Sequence, residues 1–227
     1  MSFKEFAKEL NGNRVEGEIV KTVFYSLLTS FAFLGLLYLL KFKENPVLVE
    51  KYGFYLFFAS LGYALIIPTL RQVRAYREFP CMSGMMIGMT SGMIAGFFPG
   101  LIIGSTNGMF IGGVFGMALG IGIGTWSGKC CGIMGFMEGI MAGFMGGLMG
   151  AMTALMMFND HLKETVVISF LIGGAILSSL NYMVFKEMKE NEKHFKEDHL
   201  MTIALTFILI AATTFIMIYG PRSVLFQ

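Results

Sequence analysis

The sequence predicts an all-α polytopic membrane protein: a transmembrane helix bundle of about seven spans with a glycine-zipper core. Three observations carry this. The 227 residues are 55% hydrophobic and only 14% charged, against about 25% charged in soluble domains. The apolar residues fall into runs of about twenty, the length of a helix crossing a hydrocarbon core of about 30 Å. From Gly84 to Gly132 a glycine occupies every fourth position without a miss. In water each interior glycine would weaken a helix by up to about 1 kcal/mol relative to alanine. In lipid the backbone must satisfy its own hydrogen bonds, so helix is enforced and glycine becomes a means of close backbone approach.

Residues 1–21 are polar and mixed in charge. They lack the apolar core of a cleavable signal peptide, so none is expected. Phe3, Phe6, Ala7 and Leu10 share one face of a short helix, which suits either an interfacial segment or a solvated tail. Residues 22–80 hold two spans, about 22–40 and 52–70, joined by a charged loop and followed by a connector carrying Arg71, Arg74 and Arg77. The positive-inside rule places that connector, and with it the N-terminus, in the cytoplasm. Residues 81–157 form the Gly/Met-rich core, too long for one crossing. The polar cluster Gly104-Ser-Thr-Asn-Gly108 marks the break between spans at about 81–103 and 108–127. A turn at Ser127–Gly132 precedes a span at about 133–157. A re-entrant segment here would reduce the total to six. Residues 158–227 add spans at about 165–185 and 200–219 around a charged cytoplasmic loop. The C-terminus then lies outside, across a cell membrane, most simply a prokaryotic plasma membrane.

Helix geometry assigns faces. A residue turns the helix by about 100°, so a four-residue repeat drifts by about 40° per step. Gly84, Gly88, Gly92 and Gly96, then Gly112, Gly116 and Gly120, then Gly139, Gly143 and Gly147 are the packing positions of the three central spans. Their sweep calls for close neighbours on several sides, and a homo-oligomer or a larger membrane complex is expected in the lipid bilayer. In the fifth span Met134, Met137, Met141, Met145, Met149, Met152 and Met156 are spaced three or four apart. They form a nearly straight stripe opposite the glycines, with Glu138 within it. Met82, Met85, Met86, Met89 and Met93 cluster similarly on the third span, beginning beside Cys81. In the expected topology Cys81, Cys130 and Cys131 meet at the cytoplasmic boundary.

These residues define the candidate chemistry. Thioether and thiolate ligands select Cu(I) and similar soft ions. A stack of neutral methionine sites suits passage of a monovalent ion, with the thiols at the inner mouth. Glu138 suits attraction of the cation or a coupled proton, since an intramembrane carboxylate is a functional candidate by default. Asp160-His161 suits the outer end. Methionine is also a flexible gap-filler, so packing beside glycine interfaces accounts for the same stripes, and Cys130-Cys131 beside Lys129 suits lipid modification as well. The two readings are soft-metal transport or binding, and a structural subunit that assembles through its glycine faces without a transported substrate. An enzyme is not expected: the membrane region holds one carboxylate and no serine–histidine or paired-carboxylate arrangement. Basic residues are dispersed between apolar segments, which argues against nucleic acid. Three cysteines make no disulfide framework, no P-loop follows the glycines, and no cofactor is required beyond the Cu(I) that the donors suit.

Two runs resemble a known group: Phe79-Pro-Cys-Met-Ser-Gly-Met-Met-Ile-Gly-Met-Thr-Ser-Gly-Met, and the stretch from Cys130-Cys-Gly-Ile-Met-Gly-Phe-Met-Glu-Gly through Met152. They are similar to uncharacterised prokaryotic Gly/Met-rich glycine-zipper membrane proteins associated with copper handling. The resemblance covers residues 79–157 and implies copper handling for this region. Related glycine patterns occur in the mitochondrial inner-membrane translocase channel family. Met137, Met141, Met145 and Met149 match the Met-x-x-x-Met spacing of eukaryotic copper-uptake transporters, whose three-span layout this chain lacks.

Overall fold

A computed structural model describes residues 15–39, 46–76, 79–129, 132–188 and 199–221. Its helices are α1 (Val15–Leu37), α2 (Pro46–Ala75), α3 (Cys81–Asn107), α4 (Met109–Gly128), α5 (Gly132–Met156), α6 (Leu162–Met188) and α7 (His199–Tyr219). Among the described residues, seven helices are long and apolar enough to cross a membrane. The chain is an integral membrane protein with an all-α seven-helix bundle. Residues 1–14 of the expected interfacial segment 1–21 lie outside the described residues, as do Cys130 and Cys131, while residues 15–21 of it belong to α1.

The first two helices begin earlier than the sequence reading, at Val15 and Pro46, and two further boundaries differ for local reasons. The basic connector does not begin at Arg71; α2 runs on to Ala75. Nothing after Pro68 breaks it, and Arg, Gln and Ala are good helix formers. The polar cluster before Gly108 is helix, and the chain reverses at Gly108 alone, which joins α3 to α4 with φ 111°. Ser105 and Thr106 are satisfied within the helix: Ser105 donates to the Ile102 carbonyl at 2.7 Å and Thr106 to Asn107 Oδ1 at 2.8 Å. Asn107 donates through Nδ2 to the Ile216 carbonyl of α7 at 2.9 Å. A side chain at Gly108 would be strained, because L-residues rarely adopt that φ. Gly108→Ala is expected to cost about 1–3 kcal/mol, read as a lower unfolding midpoint of the purified protein. An unchanged midpoint would show that the turn is not built on that conformation.

The core is the α3–α4–α5 trio, whose members pack against one another more closely than any other helices in the bundle. α4 runs antiparallel to α3, while α5 runs parallel to it. The glycine repeat is kept in register across all three helices. Gly88 lies with Gly128 and Gly135, Gly92 with Gly124 and Gly139, Gly96 with Gly120 and Gly143, and Gly100 with Gly116 and Gly147. The next level sets Gly112 against Gly104, and Gly104 against Ala151. A Cβ on Gly120 would stand 2.8 Å from the Gly96 Cα and 2.9 Å from the Gly143 Cα, and one on Gly116 would stand 2.9 Å from the Gly100 Cα. The helices meet backbone to backbone, at separations no Cβ permits. Dispersion and weak Cα–H···O contacts hold such crossings in lipid, where no hydrophobic force acts between helices. The drift of the glycine line is thus taken up by two neighbours from the same chain.

α3 also ties the trio to the other helices. Phe98 stands against Gly62 of α2, where a Cβ would lie 3.5 Å from its ring, and against Gly173 of α6. Phe170 packs beside it, with ring centroids 6.0 Å apart. Around this junction Ile94, Ile102 and Ile103 of α3 share a core with Tyr63, Ile66 and Ile67 of α2 and Ile210 and Met217 of α7. α5 stands apart from these outer helices, its close partners being α3 and α4. That position determines which way the methionines face.

Candidate functional site

Along α5 the two residue types separate by face. Gly135, Gly139, Gly143, Gly146, Gly147 and Gly150 are buried. Met134, Met137, Met141, Met145, Met149, Met152 and Met156 are all exposed, with Met137, Met141 and Met145 at 56, 57 and 53%. The stripe therefore points away from the glycine interface onto the outer surface of the bundle. Methionine is not filling gaps in the glycine interface, which consists of bare backbone. Within a single chain the stripe lines no interior passage among the described residues; it forms an outward thioether ladder. Met137 and Met141, and Met141 and Met145, are i,i+4 pairs, whose Cβ atoms stand about 5–6 Å apart on a helix. Two thioethers of such a pair can converge on one ion.

Glu138 occupies the same side of α5 and is half-buried. Met134 precedes it by one turn and Met141 follows by nearly one, so a carboxylate sits within the ladder, close to the start of the helix. On α3, Met82, Met86 and Met89 are exposed, while Met85 and Met93 are half-buried. The backbone of Met93 lies against Gly146 of α5, so the inner end of this second set borders the α5 surface.

Cys81 is a free, exposed thiol at the first residue of α3. The level of Gly88, Gly128 and Gly135 puts the start of α3, the end of α4 and the start of α5 at one end of the bundle. Cys81 therefore shares that end with Lys129 and Gly132, which flank the two cysteines outside the described residues. Among the described residues, no three His, Cys, Asp or Glu side chains converge as a metal site. The donors that the fold gathers in number are thioethers.

At the opposite end, the α5–α6 turn carries His161 with φ 46°. Its Nδ1 lies 3.2 Å from the Glu164 carboxylate and its Nε2 lies 3.6 Å from Asp160. All three are exposed side chains of one turn, and they form a solvated cluster.

Several polar features were not legible as partners in the sequence. The hydroxyls of Ser91 of α3 and Ser127 of α4 lie 2.5 Å apart in a buried hydrogen bond; the one that accepts keeps its proton for a carbonyl of its own helix, Ile87 for Ser91 or Ile123 for Ser127. Arg71 is buried and donates through Nη1 to Thr22 of α1 at 2.7 Å. Arg74 stacks on the Trp126 ring of α4, 4.5 Å from its centroid, and its Nη1 is 3.3 Å from the Met201 sulfur of α7. The signal for these was only the presence of arginine and tryptophan near helix ends, where they anchor at the interface; periodicity says nothing about cross-helix pairs. Comparison with protein families, curated proteins and solved structures yields no match to this chain.

Proposed function

We propose that this integral membrane protein binds and transports a soft metal ion, Cu(I) above all, on the outward methionine ladder of α5. One observation carries the reading: the methionines of α5 are exposed while its glycines are buried. Gap-filling beside the glycine interface would explain inward methionines, and these face outward. Against lipid, Leu or Ile would serve equally well, so a run of seven thioethers is chosen for its sulfur. Neutral thioethers hold Cu(I) without the desolvation cost of burying a second charge, and they discriminate against hard ions.

An i,i+4 pair supplies two sulfurs, and a second copy of the chain supplies the rest. The protein then works as a homo-oligomer with α5 faces apposed, the ladder becoming a lined passage only in the assembly. Cys81 stands at one end of the passage as a thiol donor or acceptor. Arg71 and Arg74 put that end in the cytoplasm under the positive-inside rule. Glu138 provides negative charge near the same end and raises the local concentration of a cation.

A titration of the detergent-purified, reduced protein with Cu(I) against a competing chelator tests the reading. Saturable binding at a fixed ratio of metal to chain is expected, with no comparable binding of Zn(II) or Mg(II). No retention of Cu(I) against a weak competitor would contradict it. The second reading, an assembly subunit, is favoured by the same outward face, because flexible methionines suit docking to another membrane protein; a stable hetero-complex without metal would select it. Glu138→Gln separates attraction from coordination. It is expected to slow Cu(I) uptake into proteoliposomes by about tenfold or more with the binding ratio unchanged. An unaltered uptake rate would remove Glu138 from the path.

A further inference from the structure

The inner end of the α3–α5 contact brings together sulfur donors from two helices of one chain. α3 and α5 run parallel, and their glycines meet in steps of four: Gly100 with Gly147, Gly96 with Gly143, Gly92 with Gly139 and Gly88 with Gly135. A neighbouring line keeps the same step. A Cβ on Gly150 would strike the Phe97 backbone, and one on Gly146 would stand 2.9 Å from the Met93 Cα. Continued toward the start of both helices, that line sets Ala142 against Met89, Glu138 against Met85 and Met134 against Cys81. The glycine contact holds as far as Gly88 and Gly135, so the helices have not parted where the line reaches Glu138. We infer that Cys81 and Met85 of α3 and Met134 of α5 form a three-sulfur site for one Cu(I) ion, complete within a single chain. Resting on the Cu(I) reading proposed for the α5 ladder, this gives the same ion a second place on the protein.

Burial follows the register. Ala142 is 6% exposed, and Met89, with only that methyl opposite it, is 47% exposed. Met85 and Glu138 are half-buried, while Cys81 and Met134 are exposed. The two helix faces thus form a cleft that opens toward the membrane boundary, and an ion can enter it from water.

The donors select the ion. Residues four apart on a helix hold their Cβ atoms about 5–6 Å from each other, so Cys81 and Met85 can converge on one ion from α3 while Met134 reaches it from α5. A thiolate and two thioethers make a soft set that suits Cu(I) and leaves hard ions unbound. When the ion binds, the S–H bond of Cys81 breaks, a Cu–S bond forms, and the proton passes to water at the open end of the cleft. No electron is transferred, and the thiolate cancels the charge of the ion. The thioether pairs of α5 leave that charge in place, which distinguishes the two kinds of site. Glu138 stands beside Met85 and adds negative charge without entering the donor set.

Register and metal can be tested separately. In the full-length protein with Cys130→Ser and Cys131→Ser, Cys81 is the sole thiol. Adding Met134→Cys and a short bifunctional thiol reagent is expected to link α3 to α5 within one chain. Adding Met145→Cys instead, three turns farther along α5, is expected to give no link. With Met134 retained, Cu(I) is expected to protect Cys81 from alkylation. Half-protection should require at least about tenfold more Cu(I) in Met85→Leu and in Met134→Leu, changes that conserve volume. No link through Met134→Cys, or equal linking through Met145→Cys, would overturn the register and the site with it. Linking as expected, with protection undiminished in both leucine variants, would overturn the three-sulfur site and leave the α5 ladder standing. Linking as expected, with Cu(I) bound nowhere on the protein, would overturn the site together with the Cu(I) reading.

Discussion

Gly143→Ala is expected to destabilise the protein more than any other single-methyl change in α5. A Cβ at this position would collide with the Gly120 carbonyl carbon and the Ile121 amide nitrogen of α4. Both are backbone atoms in the middle of a helix and cannot rotate away. Two effects compete. Alanine is the better helix former by up to about 1 kcal/mol, whereas overpacking a close contact costs about 1–3 kcal/mol and more where nothing can yield. The second prevails, and the unfolding midpoint in detergent should fall by about 6 °C or more. Gly122→Ala is the matched control. Gly122 is exposed, and a Cβ there meets nothing within 4 Å, so only the favourable propensity change remains. Its midpoint should be unchanged or slightly higher. Equal effects at the two positions would mean that the glycine repeat does not hold α4 and α5 together. A loss of assembly in Gly143→Ala without any loss of monomer stability would assign the glycine face to contacts between chains.

Replacing Met137, Met141 and Met145 together with leucine should sharply weaken Cu(I) binding on the α5 face while leaving the fold intact. Leucine matches methionine in volume and in helix propensity. The three side chains are more than half exposed, so their packing debt is small. What is lost is sulfur. Apparent Cu(I) affinity should fall by at least about a hundredfold, beyond the 10- to 100-fold typical of altering groups that merely orient ligands. The unfolding midpoint without metal should move by less than about 2 °C. Unaltered Cu(I) affinity in a well-folded triple variant would leave the ladder without a role in metal binding.

Much of this architecture was legible in the sequence because glycine spacing is a direct statement about backbone approach. The repeat from Gly84 to Gly132, with the glycines that continue to Gly150, announced three close-packed helices, and α3, α4 and α5 are that trio. The opposition of glycine and methionine on α5 was legible too, since both sets follow helical periodicity. Their inside-to-outside direction follows once the glycines are buried. Other features were hidden for physical reasons. Which glycine meets which depends on the hairpin closing at Gly108, and a polar cluster four residues long does not reveal that its first members stay helical. Ser105 and Thr106 do so with their hydroxyls satisfied locally, on the Ile102 carbonyl and on Asn107 Oδ1. The overhang of α2 through Arg71 and Arg74 was obscured because charge marks a membrane boundary, while helix continues past that boundary as long as propensity allows. The meetings of Arg74 with Trp126, of Arg71 with Thr22 and of Asn107 with Ile216 are long-range pairings that no local pattern encodes. Within the candidate site, the ladder, Glu138 and Cys81 were legible by position. That the ladder faces outward followed only from the packing of α5 against α3 and α4.

The central claim is that Cu(I) is held by sulfur on the outward face of α5. X-ray absorption at the copper edge, on the copper-loaded protein in reducing detergent solution, tests it most directly. The account predicts a first shell of sulfur alone in the native protein. Much of that shell should persist when Cys81, Cys130 and Cys131 are changed to serine, and it should be lost when Met137, Met141 and Met145 are also changed to leucine in that serine background. A first shell of nitrogen and oxygen, or a sulfur shell that vanishes with the three cysteines and survives the loss of the methionines, would contradict it.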